Sequence, residues 1–266
     1  MRSLLLTLLN FSAALFAVSA QAAPNPAIPS NELPSKEKLH VYLLMGQSNM
    51  AGRGKVDPAS EPNDRQLLVF TKEQTWAVAK DPLHWDKPKI AGVGPGLSFA
   101  KAMAEASPGT TIGLVPCAVG GTPLSRWEKG GDLYNAAVER ARAAMKTGTL
   151  SGVLWHQGEA DSSEKLASTY RERLVRMFQN LRADLGTPSL PIVAGELGRF
   201  HTERIGKPSQ MINDALHAAS KELSSVAVAS SESLQDGGDK LHFGTEAQRE
   251  FGRRYAAAML KLQAAK

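Results

Sequence analysis

The chain has one cysteine, Cys117, among 266 residues. No intramolecular disulfide can therefore form, even in an oxidising compartment. Cys117 sits in Leu114-Val115-Pro116-Cys117-Ala118-Val119, which suits a small buried hydrophobe better than a nucleophile. Past the N-terminal segment, no run is long and apolar enough to cross a bilayer. Basic runs interleaved with aromatics are missing, and the formal net charge is only +5. That argues against nucleic acid as a partner. Such mild basicity suits anionic glycans or an envelope surface, and a solvated surface explains it as well. There is no internal repeat and no low-complexity tract. No Cys/His spacing matches a zinc site, so no metal is expected.

The N-terminus has the form of a leader. Arg2 precedes an apolar run from Leu4 to Val18, broken mainly by Asn10. Small residues follow, and both Val18-Ser19-Ala20 and Ala20-Gln21-Ala22 fit a cleavage site. The pattern predicts a signal peptide over residues 1–22 and an exported protein, either periplasmic or secreted. Residues 23–38, rich in proline, predict a flexible extended linker. Residues 39–266 are expected to form one domain with a sizeable core.

Within that domain strands and helices alternate. Strands are expected at Val41–Met45, Thr111–Pro116, Gly152–Trp155, Pro191–Ala194 and Val226–Ala229, with a short apolar run at Leu67–Phe70. Helices are expected at Leu97–Ala106, from a capping Asp132 to about Lys146, at Glu164–Leu185 and at Ser209–Leu223. A last helix is expected to open on a capping box at Thr245-Glu246-Ala247-Gln248. This alternation predicts an α/β fold with a parallel sheet covered on both faces.

Four stretches carry chemistry. Val41-Tyr42-Leu43-Leu44-Met45-Gly46-Gln47-Ser48 places a serine just past a buried strand, where open α/β sheets keep their reactive groups. The same residues also suit an ordinary turn or helix cap. Gly120 and Gly121 follow the strand ending at Pro116 and allow backbone N–H groups to approach an oxyanion. His156-Gln157-Gly158-Glu159-Ala160-Asp161 crowds polar groups at a third strand end. Gln157 can offer an amide there, and Glu159 and Asp161 can hold the site or cap the next helix. Asp239 precedes His242 by three residues in a glycine-rich loop. That spacing lets a carboxylate reach Nδ1 and leaves Nε2 for a serine hydroxyl. The α/β-hydrolase elbow is excluded, because Met50 stands where G-x-S-x-G requires its second glycine.

Taken in order, Gly46-Gln47-Ser48-Asn49-Met50, Gly120-Gly121-Thr122, His156-Gln157-Gly158-Glu159-Ala160-Asp161 and Asp239-x-x-His242 resemble the blocks of the SGNH hydrolase superfamily. Within it they resemble the sialate O-acetylesterase domain, the group that includes carbohydrate esterase family six and its acetylxylan esterases. The resemblance runs from about Leu39 to Leu262. It implies a three-layer α/β/α flavodoxin-like fold and a serine esterase that needs no cofactor. By position it implies Ser48 as nucleophile, His242 as base and Asp239 as its orienter. It also implies an oxyanion hole from Ser48, Gly120, Gly121 and Gln157, supported by Gln47, Asn49 and Glu159. The superfamily's usual asparagine in the third block is Gln157 here, as it is in the subgroup.

The expected reaction is removal of an O-acetyl group from a glycan such as acetylated xylan or acetylated sialic acid. Arg53 and Trp127 are the expected substrate contacts, with His84 and Arg126 also in segments near the cleft. Two other readings stay open: a carbohydrate-binding protein without turnover, and a lipase- or thioesterase-like member that would need a wide apolar cleft. Oligomeric state is not predicted.

Overall fold

The computed structural model describes residues 26–61 and 64–265. The expected signal peptide, residues 1–22, lies outside the described residues. A seven-stranded sheet in the order β3-β2-β4-β1-β5-β6-β7 forms the middle layer. Its strands are β1 (Leu39–Gly46), β2 (Leu67–Phe70), β3 (Trp76–Val78), β4 (Thr111–Pro116), β5 (Thr149–His156), β6 (Ile192–Gly195) and β7 (Val226–Ala229). All neighbours pair in parallel except β2 and β3. The antiparallel edge strand β3 was not expected, because a run as short as Trp76–Val78 has too little periodicity to read.

Strand β1 explains the layering. Side chains alternate across a strand, so Leu39, Val41, Leu43 and Met45 enter one core cluster while Tyr42 and Leu44 enter the other. The first cluster is completed by α3 (Asp132–Ala144), α4 (Glu164–Asp184) and α6 (Lys207–Glu222). The second is completed by α2 (Gly96–Ala106) and α7 (Thr245–Ala264). A strand covered on both faces reads as the continuous apolar run seen in the sequence.

Three local expectations are corrected. Residues 26–38 do not run free as a linker: the Ile28 amide donates to the Trp76 carbonyl (2.7 Å), and Ile28 and Leu33 pack against the core. Burial of those two apolar side chains favours docking over free chain. The last helix has Gly244 at its N-cap and no side-chain cap, because the Thr245 hydroxyl donates to the Lys55 carbonyl instead (3.1 Å). Asp132 is the first residue of α3 rather than its cap, and its carboxylate is taken by Arg126. Among the described residues, no helix is long and apolar enough to cross a membrane.

One carboxyl group in the scaffold has a testable consequence. Asp81 is 4 % exposed. Burial pushes its pKa from 3.8 to about 8, against the opposing pull of the Gly94 N–H, Arg249 and Lys101. A raised carboxyl pKa means that the folded chain holds the proton more tightly than the unfolded one. The stability it contributes is complete below pH 3.8 and is lost as pH rises towards about 8. The nearly isosteric Asp81→Asn removes this dependence. The melting-temperature difference, variant minus wild type, should therefore grow between pH 4 and pH 8. Parallel melting curves across that range would refute this assignment.

Candidate active site

The site lies where three central strands end. Strands β4, β1 and β5 are adjacent, and the chain leaves β1 for one side of the sheet and later fills the other. In an open α/β sheet such a switch point opens a crevice at the carboxyl ends of the strands. Ser48 follows β1, Gly120 and Gly121 follow β4, and Gln157 and Glu159 follow β5. Gly46 makes the sharp exit possible. Its φ is +126°, and a Cβ there would stand 2.0 Å from the His156 carbonyl oxygen, so only glycine fits. Ser48 then opens the short helix α1 (Ser48–Ala51).

His242 reaches this point from the far edge of the sheet. Its loop, between β7 and α7, is stitched by carboxylates. Asp239 Oδ1 accepts from the amides of Leu241 (2.9 Å) and His242 (2.8 Å), and Asp236 accepts from the amides of Gly238 and Lys240. The second Asp239 oxygen meets His242 Nδ1 at 2.6 Å, and His242 Nε2 meets Ser48 Oγ at 3.0 Å. Burial is the largest influence on the Asp239 carboxyl and pushes its pKa up, but the His242 bonds and the Leu241 amide outweigh it and hold it below the usual range. An ionised Asp239 fixes the imidazole with Nδ1–H towards the carboxylate, so Nε2 is an acceptor for the Ser48 hydroxyl.

The loop is tied to the serine by Asn49. Its Nδ2 donates to Glu159 Oε1 (2.5 Å) and to the Leu241 carbonyl (3.0 Å), and its Oδ1 accepts from the Phe243 amide (3.1 Å). One side chain thus grips the residues on either side of His242. Behind it, His156 Nε2 lies 3.4 Å from Glu159 Oε1, and both side chains are buried. Burial is the largest influence on Glu159 and raises its pKa, yet His156 and Asn49 together bring it down to about 2.

Other expected positions have different roles. The Gln157 side chain is fully buried. Its Nε2 donates to Asp161 Oδ2 (2.6 Å), the Thr122 carbonyl (3.1 Å) and Gln47 Oε1 (3.3 Å), and Tyr170 donates to its Oε1 (2.9 Å). Both amide hydrogens are engaged, so Gln157 braces the loop after β4 and is not an oxyanion donor. The Gly120 amide donates to Asp86 Oδ2 (2.8 Å) and is not free either. Gly121 lines the cleft, and its amide has no hydrogen-bond partner among the described residues. Trp127 is 0 % exposed. It donates to Thr122 and packs edge-on against Trp155, so it is core and not a substrate contact. His84 is buried as well, and Arg126 pairs with Asp132 at the surface. Arg53 does line the cleft, but its guanidinium is paired with Asp86 at 2.6 Å.

The cleft over Ser48 has a volume of about 360 Å³. Gln47, Arg53, Lys87, Gly121, His201, Arg204, Ile205 and His242 are among the residues that line it. Two lining residues are exposed apolar side chains, Ile90 (56 %) and Ile205 (38 %). Lys87, Asp86, His201 and Arg204 carry no motif in the sequence. His201 and Arg204 belong to the unexpected helix α5 (Arg199–Ile205), whose seven residues are too few for a periodic signal. Burial, the largest influence, lowers the His201 pKa, and its Nδ1 meets Ser209 Oγ at 2.8 Å.

Comparison with known proteins identifies the family of the chain. The family model described as carbohydrate esterase, sialic acid-specific acetylesterase, matches residues 38–261. A probable carbohydrate esterase of Arabidopsis thaliana is 36 % identical over 243 residues, covering 83 % of this chain and 90 % of that protein. Its X-ray structure superposes with a TM-score of 0.77 at 34 % identity, covering 86 % of this chain and 99 % of the other. The crystal structure of NanS shares the fold, with a TM-score of 0.69 at 18 % identity over 88 % of this chain and all of that one. A carbohydrate acetylesterase of Xanthomonas citri matches with a TM-score of 0.67 at 25 % identity, over 85 % of this chain and 56 % of the other.

Proposed function

Because the chain belongs to the carbohydrate esterase family of sialic acid-specific acetylesterases, we propose that Ser48, His242 and Asp239 remove O-acetyl groups from an acidic sugar. The observation that carries the reading is the line Ser48 Oγ, His242 Nε2, His242 Nδ1 and Asp239 Oδ2, with contacts of 3.0 and 2.6 Å. Ser48 Oγ adds to the acetyl carbonyl carbon as its proton passes to His242 Nε2, and the carbonyl π pair moves onto oxygen. The amides of Ser48 and Gly121 face that oxyanion. Collapse expels the sugar oxygen, which takes the proton from His242. Water, deprotonated by His242, then cleaves the acetyl-Ser48 ester to acetate and restores the hydroxyl. Export through residues 1–22 belongs to the same proposal and rests on the leader pattern alone.

The choice of sugar rests on charge. Lys87 and Arg204 are exposed at the cleft. Among the described residues of its lining the one carboxylate is Glu159, which is buried and paired. A sialic acid brings a carboxylate to that field, whereas a xylose backbone brings none. The expected result is a kcat/KM for O-acetylated sialic acid about ten-fold above that for acetylated xylan. Raising the salt should narrow the gap. Acetyl esters of p-nitrophenol should be cleaved faster than longer acyl esters. Equal rates on both glycans, insensitive to salt, would remove the acidic-sugar assignment. A preference for long acyl chains would favour the lipase-like reading.

A further inference from the structure

Two groups expected at the oxyanion are engaged elsewhere: the Gln157 amide with Asp161, Thr122 and Gln47, and the Gly120 amide with Asp86. The Arg53 guanidinium lines the cleft with Ser48. A Cβ added to Gly120 would stand 2.4 Å from a terminal nitrogen of Arg53, 3.0 Å from Asp86 Oδ2 and 3.4 Å from Ser48 Cβ. Glycine at this position therefore keeps a side chain out of the space that borders Arg53, Asp86 and Ser48. The Arg53 side chain is 6 % exposed and that of Asp86 1 %.

Asp86 organises this corner. Its Oδ2 accepts from Arg53 at 2.6 Å and from the Gly120 amide at 2.8 Å, so one carboxylate fixes both the cation and the loop after β4. Burial is the largest influence on Asp86 and raises its pKa, but the bonds from Arg53 and Gly120 outweigh it and the group stays ionised. Arg53 also donates to the Gly52 carbonyl (2.7 Å). These contacts leave guanidinium N–H groups over, since arginine carries five. The paired cation is held rigid, and a fixed charge next to developing negative charge costs no reorganisation during the reaction.

We propose that Arg53 supplies positive charge to the tetrahedral oxyanion formed at Ser48, and that Asp86 is the positioning residue that aims it. The proposal rests on the esterase reading above. It differs from a substrate-anchoring role for Arg53 in one measurable respect: it applies to an ester that carries no charge.

The test is steady-state hydrolysis of p-nitrophenyl acetate by wild type, Ser48→Ala, Arg53→Met, Arg53→Lys and Asp86→Asn, each checked for folding by its melting curve. Arg53→Met should lower kcat on the order of 30-fold with KM within about two-fold, below the range for losing a direct oxyanion donor because Asp86 offsets part of the charge. Arg53→Lys should recover part of the loss. Asp86→Asn should lower kcat about five- to ten-fold, again with KM nearly unchanged. A folded Arg53→Met variant with wild-type kcat on this neutral ester, losing only KM on acetylated sialic acid, would overturn the proposal and make Arg53 a substrate anchor. If Arg53→Met does not fold, Asp86→Asn decides in the same way. Wild-type hydrolysis that Ser48→Ala does not abolish would overturn the esterase reading and this proposal with it.

Discussion

Ser48→Ala should slow hydrolysis of p-nitrophenyl acetate by roughly 10³- to 10⁶-fold while leaving the melting temperature within a few degrees of wild type. The chemical part follows from what alanine lacks. Without Oγ no acetyl-enzyme forms, and the site retains only donors and binding, which give a residual rate above water. The structural part follows from what Ser48 touches. Its hydroxyl bonds to His242 Nε2 and to no other side chain among the described residues. The Ser48 side chain borders the cleft, so its loss opens no closed cavity. His242→Ala should give a loss of similar size, since nucleophile and base act as one unit and their effects do not add. A folded Ser48→Ala variant with wild-type turnover would end the serine mechanism. Loss of activity together with loss of the melting transition would instead show that Ser48 is needed for folding.

Much of this site was readable because it is local. The run Val41 to Met45 reads as a strand because β1 is covered on both faces, and the Asp239-x-x-His242 spacing places carboxylate and imidazole within one turn of loop. The roles of Gln157, Gly120 and Trp127 depend on partners brought up by the fold. The direction of the Gln157 amide depends on Thr122 and Tyr170, which meet it only in the fold, as well as on Asp161 within its own motif. Trp127 was expected in the cleft because it follows Gly120 and Gly121 closely, but the turn Leu124–Arg126 carries it into the core beneath. Asp86 lies 34 residues before the amide it holds, in a loop with no periodicity to read. Asn49 and Glu159, which act through long-range hydrogen bonds, are reached through the resemblance, whereas Asp86 lies outside every motif block.

Glu159→Gln should lower kcat on the order of 100-fold with little change in KM, although the Glu159 carboxylate meets Asn49 and His156 rather than Ser48 or His242. Its effect passes through Asn49, which holds Leu241 and Phe243 on either side of the base. Asn49 can do this in one orientation only, with Nδ2 towards the Leu241 carbonyl and Oδ1 towards the Phe243 amide. The Glu159 carboxylate selects that orientation because it accepts and cannot donate. A glutamine can present either its oxygen or its NH₂ to Asn49. In the second case the amides repel, Asn49 loses its grip, and His242 drifts from the 3.0 Å contact with Ser48. A misplacement of about 1 Å in a catalytic group costs roughly 10² in rate. Asn49→Asp should be at least as damaging, since it sets a second carboxylate against Glu159 at the present 2.5 Å contact. The charge on Glu159 is secure across the working range. With its pKa held at about 2, the stability it contributes is complete above pH 4.5 and is lost only as pH falls towards about 2. The rate defect of Glu159→Gln should therefore be constant from pH 5 upwards, whereas a defect in the base itself would change the shape of the pH profile. A Glu159→Gln enzyme with wild-type kcat would show that the His242 loop holds its own position, through the Asp236 and Asp239 carboxylates alone.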